Sequence, residues 1–415
     1  MKGVEPVKGL GGYSWVLENR LFYWFWLAKA ISSLGAVFFR LTILITITEM
    51  TDSAMALGLV LGVQALPSLF MSPLAGVLVD RLNKKIVLIV LDILRASLML
   101  LAIFIVNDLI PVIIIVAIMG VCTTVRQATD MAILPALVEQ KDYMAATGLL
   151  RGTLQIMQLV GPGIAGILID IFGLQTVFGV NSLAFLFSGL FLLFLPIFLE
   201  QDSRETFNLK KEITEGLVAI KGSRVLISML ALYCAVSIFA GGTGVLMVDY
   251  IQNILQASPY QLGVVQSVLA LGAILANLVA GYFGNQAPRF HLLLGATFGI
   301  GIVNLIFFTD PGMIILGIWA FIIGACDGMN EAPFYSLIID YSPDEVRGRI
   351  MSFVNALIRL TAIISLGLAG IFAGWFGSAN VIGASGIILL LLGMVILMGD
   401  GRKVLSRKDE QLDSR

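Results

Sequence analysis

Histidine, cysteine and charge are all scarce in this chain. Of its 415 residues, one is histidine, three are cysteine and 13% are charged. The charged share is about half that of a soluble globular protein. The lone His291 leaves no histidine-based triad and no multi-histidine metal site. Cys122, Cys234 and Cys326 sit inside apolar runs without metal-ligand spacing, so they read as small packing residues. No sign of charge is in excess. With 26 basic and 27 acidic residues the net charge is −1, which argues against a nucleic-acid binder. Residues 1–20 have neither an apolar core nor a small-residue cleavage site, and read as a soluble lead-in rather than a signal peptide.

Apolar residues are abundant instead. They make up 58% of the chain, and mean hydropathy is +0.97. No soluble fold of this length hides that much apolar surface, so the chain reads as an all-α polytopic membrane protein. Crossing the bilayer takes about 20 apolar residues at ~1.5 Å each. Twelve such runs are found: 21–49, 54–79, 86–106, 110–134, 146–168, 175–198, 225–252, 259–283, 291–308, 312–338, 350–373 and 379–398. They are continuous rather than alternating, which excludes a β-barrel. A polar stretch, 200–224, divides them six and six, giving bundles over 21–199 and 225–398 with a polar tail over 399–415.

Lysine and arginine set the orientation. With both termini in the cytoplasm, 20 of the 26 lie in inner segments and the other six lie within spans, leaving none for the outer loops. The expected location is a bacterial-type inner membrane. The halves also repeat. At a shift of 205, Ser53, Leu57, Gly58, Val60, Ala65, Leu66, Ala75 and Gly76 meet identical residues; at a shift of 204, Gly120-x-Cys122 meets Gly324-x-Cys326. Parallel six-helix repeats are a transporter architecture, with the substrate site at mid-membrane.

A charge at the centre of a spanning helix costs about 2.5–3.5 kcal/mol on insertion scales, so each needs a partner, a wet cavity or an escape route. Eleven lie within the spans, inside their extreme ends: Lys29, Arg40, Asp92, Arg95, Arg126, Asp130, Arg151, Asp249, Asp327, Glu331 and Arg359. Spans 1, 4, 7 and 10 hold seven of them and are expected to line the polar cavity. Arg126 and Asp130 share one face of span 4, and Asp327 and Glu331 share one face of span 10. A basic site could thus face an acidic one, or the charges could form static buried pairs. Asn330 is grouped with these acids. Lys29 and Arg40 could line the cavity or snorkel. Asp249 reads equally as a gate or an interfacial aspartate. Arg151-x-Thr153 and Arg359-x-Thr361 occupy matching places in spans 5 and 11.

After span 2 the chain reads Gly76-Val-Leu-Val-Asp80-Arg81-Leu-Asn83-Lys84-Lys85. This resembles the G-x-x-x-D-[RK]-x-G-[RK]-[RK] signature of the major facilitator superfamily. Asn83 replaces the usual glycine, and asparagine tolerates a left-handed turn. Ser53–Gly58 with Leu66-Pro67, Asp92-x-x-Arg95, Arg126-Gln-Ala with Leu134-Pro135, and Pro343–Arg349 are similar to the branch holding macrolide-efflux proteins and the enterobactin exporter. Gly161-Pro162-Gly-Ile-Ala-Gly166 is similar to an element in helix 5 of superfamily antiporters. The resemblance implies two six-helix bundles. It implies gating roles for Gly76, Asp80, Arg81, Lys84, Lys85, Asp92 and Arg95, and for the Gly161–Gly166 element. Asp80 would cap the inner end of span 11, and Arg81 would pair with an acid at the inner end of span 4, for which Asp130 is the candidate.

The expected function is export of amphipathic, drug-like small molecules by alternating access, without catalysis, metal or cofactor, and as a monomer in the bilayer. Protons are the expected coupling ion, carried by Glu331 first and Asp327 second. The alternatives are a siderophore or other metabolite exporter with different coupling, and a lipid-handling or sensor membrane protein.

Overall fold

The computed structural model describes residues 16–105, 108–196, 224–283, 289–342 and 347–398, except for the side chains at 72–78, 80–81, 224–225, 281–283, 289–290, 332, 348–349 and 352. The lead-in before residue 16, the linker before residue 224, the tail and the side chains of Gly76, Asp80 and Arg81 therefore lie outside the described residues.

Every regular element among the described residues is a helix, as a chain that must satisfy its backbone inside lipid requires. In order they are α1 (Arg20–Thr51), α2 (Ala54–Arg81), α3 (Lys84–Ile105), α4 (Leu109–Leu137), α5 (Tyr143–Leu192), α6 (Arg224–Ala240), α7 (Thr243–Asp249), α8 (Pro259–Phe283), α9 (Arg289–Asn304), α10 (Met313–Tyr341), α11 (Arg347–Phe376) and α12 (Ser378–Met398). Among the described residues, eleven helical stretches are long and apolar enough to cross a membrane. One of them contains α5, whose 50 residues exceed a single crossing. Gly173 breaks it at φ 79°, ψ 165° into two membrane-length arms. Helical angles persist through Pro162, so the bend falls at the glycine and not at the proline.

The seventh expected span is divided the other way. α6 and α7 are separated at Gly241–Gly242, and a π-helical turn, Tyr250–Ile254, ends the span. Two carbonyls freed at the break are taken by side chains: Ser365 Oγ donates to Ile238 O, and Thr243 Oγ1 donates to Ala240 O at 2.6 Å.

The internal repeat is written in the backbone. Asp52 and Gln256, which end spans 1 and 7, are left-handed at φ 45° and 53°; Gly173 and Gly377 both sit at φ 79°. Each pair is 204 residues apart. α4 and α10 are both 29 residues long and obey the same offset. The threonines of the two Arg-x-Thr segments do not share this register: they are 208 residues apart, one turn off the offset, and differ in role. Thr153 accepts from Trp26 Nε1 at 2.8 Å, and Thr361 donates to Ser237 Oγ at 3.0 Å.

The chain forms two compact units, Met1–Thr46 with Leu66–Thr206, and Ile47–Ala65 with Phe207–Arg415. Residues 47–65 thus group with the second unit rather than the first. Gly58 explains this. A Cβ there would lie 2.6 Å from Leu366 O and 3.2 Å from Gly370 Cα, so the first turns of α2 meet α11 backbone to backbone. Within the first unit, Phe22, Phe25, Leu88, Ile133 and Leu192 form an apolar core. Asn19 binds two helix ends at once: its Oδ1 accepts from Leu21 N and its Nδ2 donates to Leu137 O at 2.8 Å. Within the second unit, Tyr250, Phe307 and Trp319 pack edge to face, and Asn304 joins Trp319 Nε1 to Ser385.

Candidate functional site

The first unit encloses a network of five charges on three helices. Asp92 of α3 is fully buried and accepts from both Arg95 of α3 and Arg126 of α4. Ser188 of α5 closes the arrangement, with its Oγ 2.7 Å from Asp92 Oδ2, 2.9 Å from Ala28 O and 3.4 Å from an Arg126 nitrogen. Arg95 also donates to Ser32 Oγ at 3.1 Å and lies 4.4 Å from the centre of the Phe185 ring. Asp130, one turn below Arg126, accepts from Lys29 of α1, and its other oxygen is 3.8 Å from Arg126 Nε. The described partner of Asp130 is therefore lysine from α1, where the family resemblance puts Arg81.

Arg126 points into its own unit. The repeat explains why it and the α10 acids do not occupy equivalent places. The offset of 204 matches Arg126 to Asn330, which is buried, and matches Thr123 and Gln127 to Asp327 and Glu331. Gln127, Asp327 and Glu331 are all exposed. One residue along a helix turns a side chain by about 100°, enough to move it from the packed face to the open one.

The α10 acids look toward α6. Phe334 lies about 20° from Asp327 around the helix, is fully buried, and stacks on Tyr233 of α6 with ring centres 3.8 Å apart. Tyr335 Oη donates to Asn355 Oδ1 of α11 at 3.0 Å. Both carboxylates lie within electrostatic range of Tyr233, and Asp327 within range of Glu331. Among the described residues neither acid pairs with a cation. The buried Asn330 Oδ1 has no hydrogen-bond partner among them.

The remaining candidates are placed as follows. Asp249 is buried at the end of α7, accepting from Ser378 Oγ on the first turn of α12 and from Asn253 Nδ2 at 2.8 Å. A carboxylate suits that helix N-terminus. Arg40 is exposed, Arg359 half-buried and Arg151 exposed. Asn83 is not left-handed. It serves the motif loop by another route, its Oδ1 accepting from Lys85 N at 3.1 Å and Ile86 N at 3.3 Å to cap α3. Lys85 Nζ donates to Leu193 O and Leu195 O at the end of α5. Gly161 is needed for approach, since a Cβ there would meet Val37 Cγ1 at 2.7 Å. Pro162 and Gly166 are buried beside it. Ser188 and Tyr233 escaped the sequence reading. A serine or tyrosine in an apolar run carries no signal until its neighbours are known.

The sequence matches the family model described as transmembrane secretion effector over residues 13–413. It is 24% identical over 402 residues to macrolide efflux protein A of Streptococcus pyogenes, spanning 93% of this chain and 96% of that protein. It is 23% identical over 331 residues to the multi-drug resistance efflux pump PmrA of Streptococcus pneumoniae, spanning 77% and 80%. Among solved structures, the nucleoside transporter NupG matches with a TM-score of 0.72 at 12% identity, over 91% of this chain and 98% of that one. A bacterial homologue of the lysosomal transporter Spinster matches at 0.73 and 13%, over 93% and 96%. At these identities the structures speak for the fold.

Proposed function

Because the chain belongs to the transmembrane secretion effector family of the major facilitator superfamily, we propose that it exports amphipathic small molecules by proton-coupled alternating access. Family and fold are those of multi-pass membrane transporters that move small molecules. The relatives named for macrolide and multidrug efflux support outward transport, and the distribution of lysine and arginine supports an inner-membrane protein with both termini in the cytoplasm.

One observation carries the coupling. Asp327 and Glu331 stand one turn apart on an open face of a membrane-spanning helix, with no described cation beside them. A carboxylate in such a place is held in water by its charge and in a closed site by a proton, because burial penalises the charged form. Closing the cleft around either acid therefore favours proton uptake, and opening it to water favours release. Glu331 is the first carrier and Asp327 the second.

Everted vesicles given a fluorescent amphiphile such as Hoechst 33342 in the outside medium test this. A proton gradient should drive uptake into vesicles carrying the protein, and the Glu331→Gln, Asp327→Asn double variant should lose the gradient-driven component. Undiminished gradient-driven uptake by that variant overturns the coupling assignment.

A further inference from the structure

The membrane-embedded charges of the first unit do not balance. Its network holds three cations, Lys29, Arg95 and Arg126, against two carboxylates, Asp92 and Asp130. Arginines do not give up their protons in proteins, so the imbalance is not removed by neutralising them. Within the network, buried Arg95 Nε and Arg126 Nε lack hydrogen-bond partners, as does Asp130 Oδ1; outside it, buried Asn181 Oδ1 is also without one.

Arg40 adds to the surplus. It is eleven residues from Lys29 on α1, which places the two about 20° apart around the helix and ~16 Å apart along it. Ala36 lies between them on the same stripe. Arg40 is exposed, Ala36 half-buried, and the Lys29 side chain 24% exposed. No described carboxylate pairs with Arg40. Immediately after it, residues 41–48 are buried without interruption. The stripe is thus accessible at Lys29, Ala36 and Arg40, with buried Ser33 beside it, inside a spanning helix where unpaired charge is costly.

We propose that this α1 stripe is a subsite for an anionic group, a carboxylate, phosphate or sulfonate, on an amphipathic ligand. The anion takes the share of Lys29 that Asp130 leaves free, or the guanidinium of Arg40, and supplies the counter-charge the unit lacks. The small Ala36 gives an apolar segment room to lie along the helix between the two cations. The subsite rests on the exporter reading for the ligand's role as cargo. Its preference for anions rests on the charges alone.

Equilibrium binding separates the two. The purified protein in phosphatidylcholine nanodiscs is titrated with 11-(dansylamino)undecanoic acid and with its uncharged methyl ester, read by dansyl fluorescence. The acid should bind at least about tenfold tighter, the worth of one hydrogen bond to a charged group. One of Lys29→Met and Arg40→Met should cost the acid about tenfold and leave the ester unchanged, which identifies the cation the anion takes, while Lys29→Arg and Arg40→Lys keep the preference. Ester binding reports whether each variant is folded, and the wild-type acid-to-ester ratio decides the matter if one is not. Equal binding of acid and ester, or equal loss of both in the Met variants, overturns the subsite. Repeating the titration with phosphatidylglycerol in the disc identifies the source. Loss of the acid's advantage there assigns the site to an anionic lipid head group, and its survival assigns it to a dissolved anion. An acid that binds with preference but is never exported leaves the subsite standing and removes the exporter reading.

Discussion

Asp92 has two guanidinium groups on it and almost no water. Removing it leaves Arg95 and Arg126 facing each other without a counter-charge in the interior of the unit. Breaking a buried pair from one side costs about 3–5 kcal/mol, so Asp92→Ala should lower the thermal midpoint of the purified protein sharply, or abolish folded yield, as read by size-exclusion chromatography. Lys29 and Asp130 are more accessible and should behave differently. Lys29→Met and Asp130→Leu should each destabilise, whereas the double variant should recover much of the loss, because two apolar groups replace a pair instead of orphaning one member. Thermal midpoints of the four proteins measure that coupling, and additive losses would deny it.

At the scale of elements, the helix ends are held by side chains whose roles can be tested one at a time. Asn83 offers its amide oxygen to two backbone N–H groups of α3. Asn83→Ala should cost about 1 kcal/mol, and Asn83→Gly, which restores the family's usual residue, only a few tenths. Differential scanning fluorimetry of the two variants distinguishes a cap from a left-handed turn, where the glycine would be the better residue. Most helices were legible in the sequence because a spanning run must be long, apolar and continuous. Their divisions were not. The gap between the fifth and sixth runs closes into one 50-residue helix turned by Gly173, since a single left-handed glycine changes direction without spending a polar loop. The break at Gly241–Gly242 was hidden because the carbonyls it frees are satisfied by Ser365 and Thr243, residues that look like ordinary packing in a sequence. Facing was the harder problem still. Arg126 reads in the sequence either as a cavity cation or as half of a buried pair, and only the 204-residue register shows that its counterpart is Asn330 rather than an acid.

For the whole molecule, the repeat makes paired predictions. Gly173 and Gly377 hold φ 79° at corresponding joints, a positive φ that costs an L-residue on the order of 1–3 kcal/mol. Gly173→Ala and Gly377→Ala should therefore lower the thermal midpoint by similar amounts, and a large disparity would show that the two joints are not structural equivalents. The same register sets Lys29 opposite Tyr233 and Asp130 opposite Phe334. Where one unit joins its first and fourth spans by an ion pair, the other joins the matching spans by stacked rings. These two seams answer to different agents. A dissolved ion or a charged guest exchanges readily for a partner in an ion pair, while little in a cell competes for a sandwich of two aromatic rings. One repeat is sealed by a fastening that chemistry outside the protein is able to undo, and its twin by one that it is not.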